Sequence, residues 1–305
     1  MLSRRPRVAG LRLVLLLACA LGAGSTEAVR GDGVVSPGFS ADLGRGLPQG
    51  AIVPRAYLPL VSRAISSPQD ANDVAAYVNY YRAIVGSPPV TFDTQLDLNC
   101  TYHARYVAEE GHLTHDERTD SPWYTPEGQA CAQNSNVWMG SAFYMPYWEP
   151  HHAIESWMSS VGHRLWLLYP TTPTFGYGFY AASNNRAGAA LDVLSTFNSS
   201  ADLAYPGWPV RYPATGQGDI PAEQYPITIN WRYFGPTPTV SATSLQVVGG
   251  ASIAHSVTTH SPVGHKMIAI TPDGALPAQS TIAVSVSGIY DGVPFTYSWQ
   301  FSTGQ

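Results

Sequence analysis

At 305 residues the chain is longer than one typical domain. A hydrophobic content of 45%, with 8 Trp, 18 Tyr and 9 Phe, excludes wholesale disorder. The formal net charge is -5, Lys266 is the single lysine, and the arginines are scattered without a run, so no nucleic-acid partner is expected.

In chain order, residues 1–28 read as a signal peptide: Arg4, Arg5, Arg7 and Arg12, then the apolar stretch Leu13 to Leu21, then small residues. That stretch is shorter than the roughly 20 apolar residues a membrane span needs. The expected location is secreted, extracellular. Leu16-Leu17-Ala18-Cys19 is like a bacterial lipobox, so cleavage near residue 29 and lipid anchoring at Cys19 both stay open. If Cys19 leaves with the signal, Cys100 and Cys131 remain as a pair. An oxidising compartment favours their disulfide, the alternative being two buried thiols.

Residues 29–68 are rich in Gly, Pro and Ser without periodicity and read as a linker. From Gln69 the apolar positions Val74, Tyr77, Val78, Tyr81 and Ile84 fall at helical spacing, and Gly86, Pro88 and Pro89 end the run. A second helix is expected over about 93–110, with Leu96, Cys100, His103 and Val107 on one stripe and Gly111 as its stop. A third is expected over 151–160, ending near Val161-Gly162, and strands over 174–181 and 189–197. These make a mixed domain over 69–200.

The Pro- and Gly-rich stretch 201–235, with Tyr205-Pro206-Gly207-Trp208-Pro209, reads as a boundary segment. Over 236–305 no helical period occurs. Phe295, Tyr297, Trp299 and Phe301 alternate with Thr296, Ser298, Gln300 and Ser302, while Ile282, Val284 and Val286 form the preceding strand across an Asp291-Gly292 turn. With further strands over 240–248 and 267–270, a small all-β sandwich is expected. The fold class is α+β.

Five histidines, His112, His115, His151, His152 and His163, lie near Asp116, Glu117, Glu149 and Glu155. Imidazole and carboxylate together suit a divalent metal or a general base, but neighbourhood in sequence is not convergence in space. His112, His151 and His152 read as exposed loop or helix-start residues. His103, on the apolar stripe, reads as a satisfied core or cleft-wall histidine. The aromatics Trp123, Tyr124, Trp138, Phe143, Tyr144, Tyr147 and Trp148 suit apolar or sugar ligands, and equally suit core packing.

The run Val78-Asn79-Tyr80-Tyr81-Arg82, then His103-Ala104, Thr114-His115, Ser135-Asn136-Val137 and Glu155-Ser156-Trp157 through Gly162-His163-Arg164, resembles the CAP superfamily (SCP/PR-1-like) in its bacterial branch. The resemblance implies an α-β-α sandwich with a central cleft, lined in animal and plant members by two His and two Glu that bind a divalent cation. His115 and His163 match the two cleft histidines. Ser135, before Asn136, and Ser160, three after Trp157, stand where the family has Glu. Without both carboxylates, His115 and His163 are expected to hold a cation such as zinc only weakly, and no other cofactor is expected. Glu155 is a further cleft candidate, but it lies two residues before Trp157, on another helical face. Ser135 lacks the Gly-x-Ser-x-Gly turn of a nucleophile and reads as a hydrogen-bonded structural residue.

Cys100 and Cys131 stand where bacterial relatives commonly have Ala, and their bond would staple the second helix to the segment leading to the cleft. The final domain resembles bacterial Ig-like modules through Ala275-Leu276-Pro277 and Trp299-Gln300-Phe301-Ser302-Thr303, which implies a spacer or cell-surface association. The expected function is a non-enzymatic extracellular binding protein presenting a histidine-lined cleft to a lipid, peptide or glycan. The alternatives are a divalent-metal-dependent hydrolase or protease, and a purely structural cell-surface protein.

Overall fold

A computed structural model describes residues 68, 70, 72–141, 149–261 and 263–305. The signal segment with Cys19, the linker up to residue 67, and Phe143, Tyr144, Tyr147 and Trp148 lie outside the described residues. Among the described residues no helix is long and apolar enough to cross a membrane.

The first domain is a three-layer sandwich. Its sheet has the strand order β1 (Thr91–Phe92), β3 (Thr174–Ala181), β4 (Arg186–Asp192), β2 (Ser135–Ser141), parallel between β1 and β3 and antiparallel elsewhere. Alternation along β4 assigns the two faces: Ala190 packs with Cys100 and Cys131, while Ala189 and Leu191 join the main core with Val78, Trp157 and Phe175. Helices α2 (Thr94–Glu110) and α3 (Pro126–Ala132) therefore cover one face, and α1 (Val74–Ile84), α4 (His151–Ser159) and α5 (Val161–Leu167) the other. Side-chain caps start α1 at Asp73, α2 at Asp93 and α3 at Thr125, and Gly111 ends α2 in the left-handed conformation.

The helix expected over 151–160 stops at Ser159, and a second helix begins at Val161 instead of a loop. Ser160 is extended between them, at φ -96 and ψ 126. Helix α3 and strand β2 are among the elements with no counterpart in the sequence pattern. Helix α3 is too short for a periodic signal, and β2 is buried along most of its length, so its polarity does not alternate.

Helix α2 lies unusually close to the sheet. A Cβ added at Gly176, Gly178 or Gly188 would run into Leu96, into the Cys100 and Thr101 backbone, or into the Ala104 carbonyl, respectively. Position Cys100 faces that seat on one side and Cys131 of α3 on the other, and the two cysteines form a disulfide.

Beyond residue 209 the chain forms two antiparallel sheets within the same compact unit. One has the order β11 (Val293–Ser302), β10 (Thr281–Tyr290), β7 (Thr239–Val247); the other β5 (Val210–Tyr212), β6 (Ile227–Asn230), β9 (Met267–Pro272), β8 (His255–Thr258). Their buried residues, Ile227, Ile270, Val284 and Trp299 among them, belong to the same apolar cluster as Val78, Trp157 and Phe175, so one core runs through both parts. Asp291 and Gly292 both have positive φ, which makes the two-residue turn that joins β10 to β11. Strands β5 and β6 fall within 201–235, the stretch read from its Pro and Gly content as a boundary; pairing with β9 makes that stretch part of the sheet.

Reducing and non-reducing peptide maps of exported protein should show the Cys100–Cys131 link, and two freely alkylated thiols would refute it. The Cys100→Ala/Cys131→Ala double variant should lose roughly 2–4 kcal/mol of stability, the range typical for a bond closing a loop of this kind.

Candidate functional site

The edge strand β2 brings the candidate residues to one end of the first domain. His115 follows α2 after the Gly111 turn, and its Nδ1 donates to the Ala132 carbonyl at the end of α3, at 2.8 Å. A carbonyl only accepts, so Nδ1 carries the hydrogen and Nε2 keeps the ring's lone pair. From the opposite layer comes His163, in the first turn of α5. Its Nδ1 lies 2.9 Å from Ser160 Oγ, and its own carbonyl accepts from Asn136 Nδ2 at 3.0 Å. Asn136 of β2 thus holds the start of α5 against the sheet. Ser160 spends its hydroxyl on the His163 ring, which leaves α5 without the side-chain cap this residue would ordinarily supply.

Electrostatics couples the two rings. Burial, and secondarily the proximity of His115, lower the His163 pKa to about 4. His115 is also lowered, mainly by burial and less by His103, with the bond to Ala132 opposing. Both imidazoles are therefore neutral near pH 7. Beside them, Ser135 Oγ and Asn136 Oδ1 are buried without a hydrogen-bond partner among the described residues. Ser135 pairs with Asp192 in the β2–β4 register, yet the Asp192 carboxylate is taken by Leu194 N, Ser195 N and Ser195 Oγ.

His103 is fully buried behind this pair. Its Nδ1 meets Glu117 Oε1 at 2.8 Å and its Nε2 meets the Thr114 carbonyl at 3.0 Å. Both nitrogens are committed, so His103 has no lone pair for a cation. Glu117, which also accepts from Thr125 N, anchors the loop that carries His115. Its role has no sequence signal beyond its nearness to other histidines. Glu155 is exposed on α4 and stands against His151, with Oε1 3.9 Å from His151 Nε2, and no interaction joins it to His115 or His163 among the described contacts. Two residues before Trp157, Glu155 lies on the side of α4 that faces His151 and Tyr77.

Chemically, the arrangement offers neutral hydrogen-bonding groups. Ser160 and His163 are bonded, but a ring with a pKa near 4 is a weak base at neutral pH, and no carboxylate orients it. Arg164, next in the chain, is structural: it is fully buried, donates to the Met158 and Pro226 carbonyls, and lies 4.8 Å and 4.7 Å from the Tyr212 and Tyr225 ring centres. Trp123 is held under Arg105, 4.2 Å from its ring centre, and packs beside Tyr106 and Val137. A separate depression of about 590 Å³ lies on the β10–β11 face, lined by Ser244, Gln246, Ser285, Ser298 and Gln300 among others, and shares no residue with the histidine pair.

Residues 75–197 match the family described as CAP, the cysteine-rich secretory protein family. The match spans less than half of the chain. No curated protein matches the chain. Among solved structures, the chain is similar to an outer surface protein from Borrelia burgdorferi, at 16% identity over 38% of this chain and 85% of that one, with a TM-score of 0.29.

The histidines make a prediction about acid. For His163, a folded pKa of about 4 lies below the unfolded value of about 6.5, so the unfolded chain takes up the proton first and stability falls with pH. The contribution is full above about pH 6.5 and declines down to about pH 4, by up to about 3 kcal/mol at about 1.4 kcal/mol per unit. His265, lowered to about 3 by burial, acts in the same direction. Denaturant unfolding at several pH values should give a slope between pH 6 and 4.5 that is shallower in His163→Gln by about 1.4 kcal/mol per unit. An unchanged slope would refute a neutral buried His163.

Proposed function

We propose that residues 75–197 are a CAP domain, and that the chain is an extracellular, non-enzymatic binding protein whose cleft takes an uncharged, hydrogen-bonding ligand of lipid, peptide or glycan type. The observation that carries this reading is the neutrality of the site. His115 and His163 are both held uncharged, and Ser135 Oγ and Asn136 Oδ1 are buried with no partner among the described residues. Buried polar groups are costly unless satisfied, and a ligand hydroxyl or amide would satisfy them. Cation binding at this pair is weak on the same account, since Ser135 and Ser160 bring no charge where carboxylates would stand.

The Cys100–Cys131 bond supports an oxidising, extracellular location. The two-sheet second domain is read as an Ig-like module that spaces or attaches the binding domain at a cell surface. The bonded Ser160–His163 pair is the one feature that favours hydrolysis as a second reading.

Native mass spectrometry of exported protein, with lipid and glycan profiling of what co-purifies, tests the proposal. The parent should carry an organic ligand, and Ser135→Val should reduce its occupancy at least tenfold while thermal stability is kept. Peptide or ester cleavage that disappears in both His163→Gln and Ser160→Ala would replace the binding reading by the hydrolase one.

A further inference from the structure

A second group of potential ligands lies outside the cleft, where α4 begins. Glu149, His151 and His152 each offer a ligand atom, and these atoms all lie within 4.8 Å of one another. The His151 ring is stacked on Tyr77 of α1, with centroids 5.0 Å apart, and its side chain is 13% exposed, so its position is set by packing. His151 Nδ1 is buried without a hydrogen-bond partner among the described residues, although Glu149 Oε2 is 3.4 Å away. That separation is long for a hydrogen bond. It matches the spacing of two ligands on one tetrahedral zinc, about 3.3–3.5 Å for bonds near 2.0–2.1 Å.

We propose that Glu149, His151 and His152 form a site for a divalent transition metal, zinc being the representative ion, separate from the His115–His163 pair. His151 ligates through Nδ1. Its other nitrogen, Nε2, then carries the hydrogen, and the Glu155 carboxylate stands 3.9 Å from it, beyond hydrogen-bond length but close enough to add negative charge beside the site. His152 Nδ1 now accepts the Glu149 backbone N–H at 3.1 Å. The same lone pair is the one a metal takes, so binding exchanges this hydrogen bond for a coordination bond, and the released N–H turns to solvent. Three protein ligands leave a fourth position to water.

The positive end of α4 works against a cation here, and the two carboxylates Glu149 and Glu155 offset it. Both also raise the Tyr77 pKa after the larger effect of its burial, which locates their negative field at this spot. Zinc affinity of roughly micromolar order is expected at pH 7.5.

Zinc titration of the full exported chain, followed by calorimetry or by competition with a chromogenic chelator, tests the site. The expected result is one equivalent bound by the parent and by His115→Ala/His163→Ala, with binding at least tenfold weaker in Glu149→Gln and in His152→Ala. Glu155→Gln should weaken it less, through the lost negative charge alone. Glu149 is exposed and His152 partly so, and thermal unfolding of each variant checks that its fold is kept. A parent that binds no zinc, or either Glu149→Gln or His152→Ala binding as well as the parent, overturns the proposal.

Discussion

The close seat of α2 on the sheet is the constraint on which the rest of the first domain depends. Gly176, Gly178 and Gly188 present no side chain, so the helix backbone at Leu96, Cys100 and Ala104 rests directly on β3 and β4. The repeat of four along the helix meets the repeat of two along the strand, so one stripe of small contacts serves both. Everything downstream inherits that depth: the Gly111 turn, the loop carrying His115, and the disulfide from Cys100 to Cys131. Cys131 immediately precedes Ala132, whose carbonyl sets the His115 tautomer. The staple and the carbonyl that orients His115 are thus one residue apart.

The other histidine depends on the two sheets beyond residue 209. Arg164 follows His163 and carries α5 onto Pro226, while Tyr225 Oη donates back to the Met158 carbonyl at 3.0 Å. Further along, Trp166 and Tyr169 pack on Tyr233 and His265, with the Trp166 and His265 centroids 4.3 Å apart. Tyr233 N donates to Tyr169 Oη at 2.7 Å, and that hydroxyl donates to the buried Asp202 at 2.7 Å. Such contacts bury aromatic area and satisfy polar tips together. The two-sheet part is consequently a support for the helix layer that carries His163, besides any role as a spacer.

Elements with a strong period were legible in the sequence: α1 and α2 through their apolar stripes and stops, and β10–β11 through alternation around Asp291-Gly292. The layered class was legible because those elements fall in a recognisable order. What escaped had a physical cause in each case. Helix α3 is seven residues long and its only signal was a capping Thr125 followed by Pro126. The break at Ser160 is a single extended residue whose hydroxyl serves a neighbouring ring. The strands within 201–235 carry so much Pro and Gly around them that composition outweighed their short apolar runs. At the site, His115 and His163 were singled out by the resemblance, not by any local period. The commitment of His103 to Glu117, and the turning of Glu155 toward His151, depend on tertiary placement that no local pattern records.

The proposed binding role rests on His115 and His163 both being uncharged. Nitrogen-15 NMR of the imidazoles, assigned with single His→Gln variants and followed from pH 8 to pH 3.5, tests it most directly. The account predicts that His115 is the Nδ1–H tautomer and neutral at pH 7, and that His163 stays neutral until about pH 4. Titration of either ring at or above its ordinary value of about 6.5 would contradict it.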